Sequence, residues 1–81
     1  MRLPRDLGSI ELAKKLEKYG YQITRQTGSH IRLTTQVKGE HHITIPQHKE
    51  IRVGTLKAIL VDVADHFGID QQELMDTLFG N

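Results

Sequence analysis

The sequence predicts an α+β fold: a two-layer α-β-β-β-α sandwich with a short extra helix at its C-terminal end. Three observations carry this. An apolar stripe at helical spacing occupies the first quarter of the chain. Three short segments of alternating polarity follow, separated by glycine-containing turns. A second helical stripe, Leu56, Ile59, Leu60, Val63, Ala64 and Phe67, then keeps the i, i+3, i+4, i+7, i+8, i+11 pattern without a miss.

Each element has its own warrant. Residues 2–8, with Pro4 and Gly8, read as an irregular lead-in. Ser9 is the expected N-cap of the first helix, with Glu11 near the positive end of the dipole. Leu12, Ala13, Leu16 and Tyr19 form its apolar stripe, and Gly20 stops it. The first strand runs from Tyr21 to Gln26, with Tyr21 and Ile23 inward and Gln22, Thr24 and Gln26 outward. Thr27-Gly28-Ser29 turns the chain. The second strand, His30 to Thr35, places Ile31, Leu33 and Thr35 inward and His30, Arg32 and Thr34 outward. Gln36 to Glu40, with Lys38-Gly39, is the next turn. The third strand, His41 to Ile45, has Ile43 and Ile45 inward and His42 and Thr44 outward. Pro46, which cannot donate to a ladder, ends it. Gly54-Thr55 begins the second main helix, and Gly68-Ile69 suits a Schellman stop. Asp70-Gln71-Gln72-Glu73 resembles a capping box and starts a last helix that uses Leu74, Leu78 and Phe79 for packing.

Short turns make the strands an antiparallel meander. Each helix has one apolar face and so does the sheet, so the economical arrangement stacks the helices on one side and leaves the other to water. That open face collects Gln22, Thr24, Gln26, His30, Arg32, Thr34, His42 and Thr44. His30 is the residue of chemical interest. Imidazole is the one side chain whose ordinary pKa lies near neutrality, so an exposed histidine beside an arginine suits acid–base work.

The 81 residues suffice for a single domain, 1–81, with one small core. There is no cysteine, which excludes a disulfide scaffold and thiolate metal sites. No apolar run is long enough to span a bilayer or serve as a signal peptide, so the expectation is a cytoplasmic protein without a membrane partner. The net charge of +1 conceals an asymmetry. Residues 1–38 hold eight basic and three acidic side chains, and residues 39–81 hold three basic and seven acidic. The N-terminal half thus offers a polyanion a basic patch. Lys14, Lys15, Lys18 and Arg25 are the candidates for phosphate backbone contacts. Arg32 is the candidate to stabilise added negative charge on phosphorus. An ordinary solvated surface accounts for the same residues, and the sequence does not choose.

Metal chemistry is not expected. His41 and His42 are adjacent in a strand and point to opposite faces, and no acidic pair has useful spacing near them or His48. His42, on the outer face, is a second acid–base candidate. Gly54-Thr55 lacks the spacing of a phosphate loop. Aromatic residues are few, so base stacking is not expected to dominate any nucleic-acid contact.

Four segments, in this order and spacing, resemble the HicA family of toxins. They are Leu16-Glu17-Lys18-Tyr19-Gly20-Tyr21, then Arg25-Gln26-Thr27-Gly28-Ser29-His30, then Ile43-Thr44-Ile45-Pro46 with His48, and Gly54-Thr55-Leu56-Lys57-Ala58-Ile59-Leu60. The resemblance runs from about Leu12 to Ile69. It implies a fold similar to double-stranded-RNA-binding domains. It also implies an endoribonuclease that cleaves mRNA and is neutralised by a HicB-type antitoxin over its active surface; with no metal set among the residues, the expected cleavage is metal-independent and needs no cofactor. The family's Gly-Ser-His motif maps onto Gly28, Ser29 and His30, with His30 catalytic and its catalytic partner unassigned. Two features depart from the family's shortest members: the lead-in Arg2–Gly8 and the extension Asp70–Asn81. Both are packing additions or antitoxin contacts. The alternative functions are a non-catalytic RNA-binding module, which would bind in a salt-dependent way without products, and a protein-docking module without RNA affinity.

Overall fold

Helix α1 spans Ser9–Leu16 and tightens into a 3-10 turn over Glu17–Tyr19 in the computed structural model, which describes residues 3–4 and 6–80. Arg2 and Arg5 of the lead-in lie outside the described residues. The N-cap is Gly8 rather than the expected Ser9. The reason is tertiary. Leu7–Ser9 runs beside residues 48–51: Ser9 N donates to His48 O at 3.1 Å and Ile51 N to Leu7 O at 2.7 Å. The Ser9 hydroxyl donates to His48 O and accepts from His48 N, so it is used across the fold rather than along its helix. Gly8 fits because a Cβ there would lie 2.8 Å from the Lys49 carbonyl oxygen.

Gly20 closes the first helical segment at φ 85, with Val37 and Thr35 packed against it. Strands β1 (Gln22–Gln26), β2 (His30–Thr35) and β3 (His41–Pro46) form an antiparallel sheet in that order. Helices α2 (Val53–Phe67) and α3 (Gln71–Phe79) follow. Ile31, Leu33, Thr35, Ile43 and Ile45 are buried beneath the helices, as alternation requires. The six stripe residues of α2 are all buried. Leu7, Ile51 and Met75 join the core as well. The expected stops and caps hold: Ile69 N donates to Ala64 O, Gly68 N to Asp65 O, and Asp70 Oδ1 accepts from Glu73 N at 2.8 Å.

Strand β1 departs from simple alternation. Gln22 and Ile23 pair with Thr34 and Leu33, but Arg25 pairs with Arg32 and Gln26 with Ile31. Thr24 is the extra residue of a bulge. Directly opposed residues share a face. Arg25 therefore turns to the open face, and Gln26, expected outward, turns to the helical side. Ile23, expected inward, is 46% exposed, on the edge strand of the sheet.

A polar cluster fastens β3 to α2. The buried Tyr21 hydroxyl donates to His41 Nδ1 at 2.6 Å, and His41 Nε2 donates to Asp62 Oδ1 at 3.1 Å. His66 stacks on His41, centroids 4.4 Å apart, and its Nε2 donates to Val37 O. Burial, and secondarily the charge of Asp62, pushes the Tyr21 phenol up from its ordinary value. The folded state then keeps a proton that the unfolded chain releases near pH ~10. Stability falls as pH rises above that value, because the unfolded state binds fewer protons there. Tyr21→Phe is expected to cost about 1 kcal/mol at neutral pH and to flatten the alkaline decline. Urea melts of both proteins between neutral and alkaline pH check this.

Candidate active site

The Thr27-Gly28-Ser29 turn is held from both sides. Thr27 Oγ1 accepts from Ser29 N at 3.3 Å and His30 N at 3.1 Å, and Thr27 N donates to His30 O at 2.9 Å. Gln47 N, just beyond β3, donates to Ser29 O at 2.9 Å. A small polar side chain at Thr27 thus replaces ladder bonds that the turn cannot make. The result is a fixed backbone at the first residue of β2.

His30 is exposed, with its Nδ1 2.9 Å from Ser29 Oγ. That contact orients the ring and leaves Nε2 without a partner among the described residues. The bond serves either protonation pattern. If Ser29 accepts from Nδ1–H, Nε2 is a free base. If Ser29 donates to Nδ1, Nε2 carries the proton.

On the same face, one row beyond His30, Arg25, Arg32 and Thr44 lie side by side across the three strands. The spacing along β2 from His30 to Arg32 is roughly 7 Å. The next row carries Thr34 opposite His42. His42 Nδ1 is 2.8 Å from Thr34 Oγ1, and its Nε2 is 2.7 Å from Glu40 Oε2. Thr34 lies four residues along β2 from His30, roughly 13 Å, so His42 is not brought to His30. His41 faces the helices and His42 the open face, so the adjacent histidines do not converge.

Beside Gly28 lies a shallow cleft of about 450 Å³, lined by the start of α1, Gln47, His48 and Lys49. Sequence alternation gave no sign of this cleft, because it forms where three separate segments meet. A Cβ built on Gly28 would meet nothing within 4 Å, and the residue has no positive φ. The fold does not require a glycine there. Gly28→Ala is expected to leave stability unchanged or raise it by up to about 1 kcal/mol in a thermal melt.

The basic candidates divide into two groups. Arg25 and Arg32 join His30 on the sheet. Lys14, Lys15 and Lys18 belong to the helical layer. Lys15 Nζ donates to Leu78 O at 3.4 Å and lies 5.7 Å from the Phe79 ring, and Lys18 Nζ donates to Thr77 O at 2.8 Å. These are the terminal carbonyls of α3, where the helix dipole favours cations. Lys14 is exposed.

The description of HicA toxins of bacterial toxin–antitoxin systems matches residues 10–64, more than half of the chain. The chain belongs to the HicA toxin family. No curated protein and no solved structure matches it. The HicA match takes in nearly all of α1, the whole sheet with the Gly28-Ser29-His30 turn, and α2 through Ala64. Helix α3 lies beyond it. Membership makes this protein the toxin of a toxin–antitoxin pair and implies an antitoxin partner. No helix among the described residues is long and apolar enough to cross a membrane.

Proposed function

We propose that this HicA protein is an endoribonuclease that cleaves mRNA in the cytoplasm, with His30 as its acid–base group, and that a HicB-type antitoxin silences it. The observation that carries the reading is the placement of His30: exposed on an open sheet face, oriented through Nδ1 by Ser29, its Nε2 free, two arginines in the adjoining row. In this reading Nε2 takes the proton from a ribose 2′-hydroxyl as that oxygen attacks the adjacent phosphorus. Alternatively the imidazolium gives its proton to the departing 5′-oxygen. Either way the products are a 2′,3′-cyclic phosphate and a 5′-hydroxyl end. Arg25 and Arg32 supply charge-assisted bonds to phosphate oxygens. Gly28 leaves room for the RNA backbone beside the ring. Lys14 adds positive potential at longer range, and Lys15 and Lys18 contribute to it while tied to α3.

The test is cleavage of a long single-stranded RNA by the antitoxin-free protein in EDTA. The expected result is metal-independent cleavage leaving cyclic phosphate ends. Salt-dependent binding without products would replace this reading with that of an RNA-binding module, and absence of RNA affinity with that of a docking module.

A further inference from the structure

Arg25 and Arg32 are direct cross-strand partners, and among the described residues neither forms an ion pair. The ion pairs are His41–Asp62 and His42–Glu40. Like charges set directly opposite each other destabilise a sheet. The arrangement also depends on the bulge at Thr24. Without that extra residue, Thr24 would oppose Arg32 and Arg25 would oppose Ile31, facing the helices. Bulges near active sites commonly re-aim a side chain in this way. The chain thus makes a local irregularity that creates an unneutralised arginine pair, on the face and in the row next to His30.

We propose that Arg25 and Arg32 form a single clamp: both guanidiniums grip one and the same phosphate of an RNA backbone, holding the strand against the His30 end of the sheet. Opposed residues root their side chains roughly 5 Å apart, so the two planar forks converge on one space. A phosphodiester has two unesterified oxygens with lone pairs enough for both forks, and guanidinium geometry matches them bidentately. Thr44 completes the row from β3 with a hydroxyl donor. The inference rests on the ribonuclease reading for the identity of the polymer, but its test does not require cleavage.

The experiment uses the full chain carrying His30→Ala, with Arg25→Gln, Arg32→Gln and both together. Binding to a short single-stranded RNA is measured over a range of salt concentrations. Each single change is expected to weaken binding about tenfold. The grip exists only while both forks close on the phosphate, so the double change is expected to weaken binding by about the same factor as either single one. The slope of log affinity against log salt is expected to fall by roughly 0.7 in all three, the value for one phosphate of a single strand. In the absence of RNA, each single variant is expected to melt at the same temperature or slightly higher, since repulsion is relieved. A double variant about 100-fold weaker, with a slope change near ~1.4, would mean two independent phosphates and overturn the clamp. Unchanged RNA affinity would overturn it too. If the same variants then lost antitoxin binding, the pair would belong to carboxylates of a protein partner. Cleavage by the protein with His30 intact, assayed separately, distinguishes failure of the clamp from failure of the ribonuclease reading.

Discussion

His30→Ala will lose RNA cleavage by roughly 10²–10⁴-fold and lose growth inhibition, while folding as the parent does. The fold is indifferent to this side chain for a structural reason. It is exposed at the open end of β2, and its one side-chain bond is to the neighbouring Ser29. The backbone at this position is held by Thr27 and Gln47, which the substitution leaves in place. Exposed substitutions of this kind usually change stability by no more than about 0.5 kcal/mol. Circular dichroism melts and a cleavage time course on the same preparations separate the two effects. A variant that still cuts RNA and still arrests growth would remove His30 from the chemistry.

Leu74→Ala will destabilise the protein by about 2–5 kcal/mol, the range for truncating a fully buried leucine. Such a loss is large beside the total stability of a chain this size, which is of order 4–12 kcal/mol. Leu74 sits in α3, outside the stretch that matches the HicA family, yet it is fully buried, and Leu78 and Met75 of the same helix are buried as well. The helix is also fastened at its C-terminal end by Lys15 of α1 and Lys18 of the 3-10 turn that follows it. Helix α3 is therefore part of the core rather than an appendage. Urea denaturation measures the effect. A change below about 0.5 kcal/mol would show that α3 docks loosely and that the core is complete without it.

Most of the architecture was legible in the residues because the physics that decides it is local. The α2 stripe is a strong helical period, and its six members are the ones buried. Tyr21, Ile31, Leu33, Ile43 and Ile45 likewise face inward as alternation requires. Gly20, Gly68 and Asp70 end or begin helices as their backbone and side-chain chemistry demands. The position of His30 at the head of β2 followed from a turn and a period of two.

The exceptions share a cause. Ser9 is a good N-cap in isolation, but its hydroxyl is taken by the backbone of His48, thirty-nine residues away. Ile23 has an inward register but lies on the edge strand and stays exposed. Lys14, Lys15 and Lys18 read as candidates for phosphate contacts, whereas Lys15 and Lys18 bond to the carbonyls of α3.

The sequence by itself determined the α-β-β-β-α-α order, the two-layer stacking, the inward residues of β2, β3 and α2, and the Gly28-Ser29-His30 turn. Each depends on periodicity, turn chemistry or capping within a few residues. Only the tertiary structure decided that a bulge at Thr24 carries Arg25 onto the face of Arg32 and His30. Only it set the cleft beside Gly28, the Tyr21–His41–Asp62 chain and the capture of Lys15 and Lys18 by α3. Those depend on pairing register and on contacts between distant segments, whose energies no local pattern encodes.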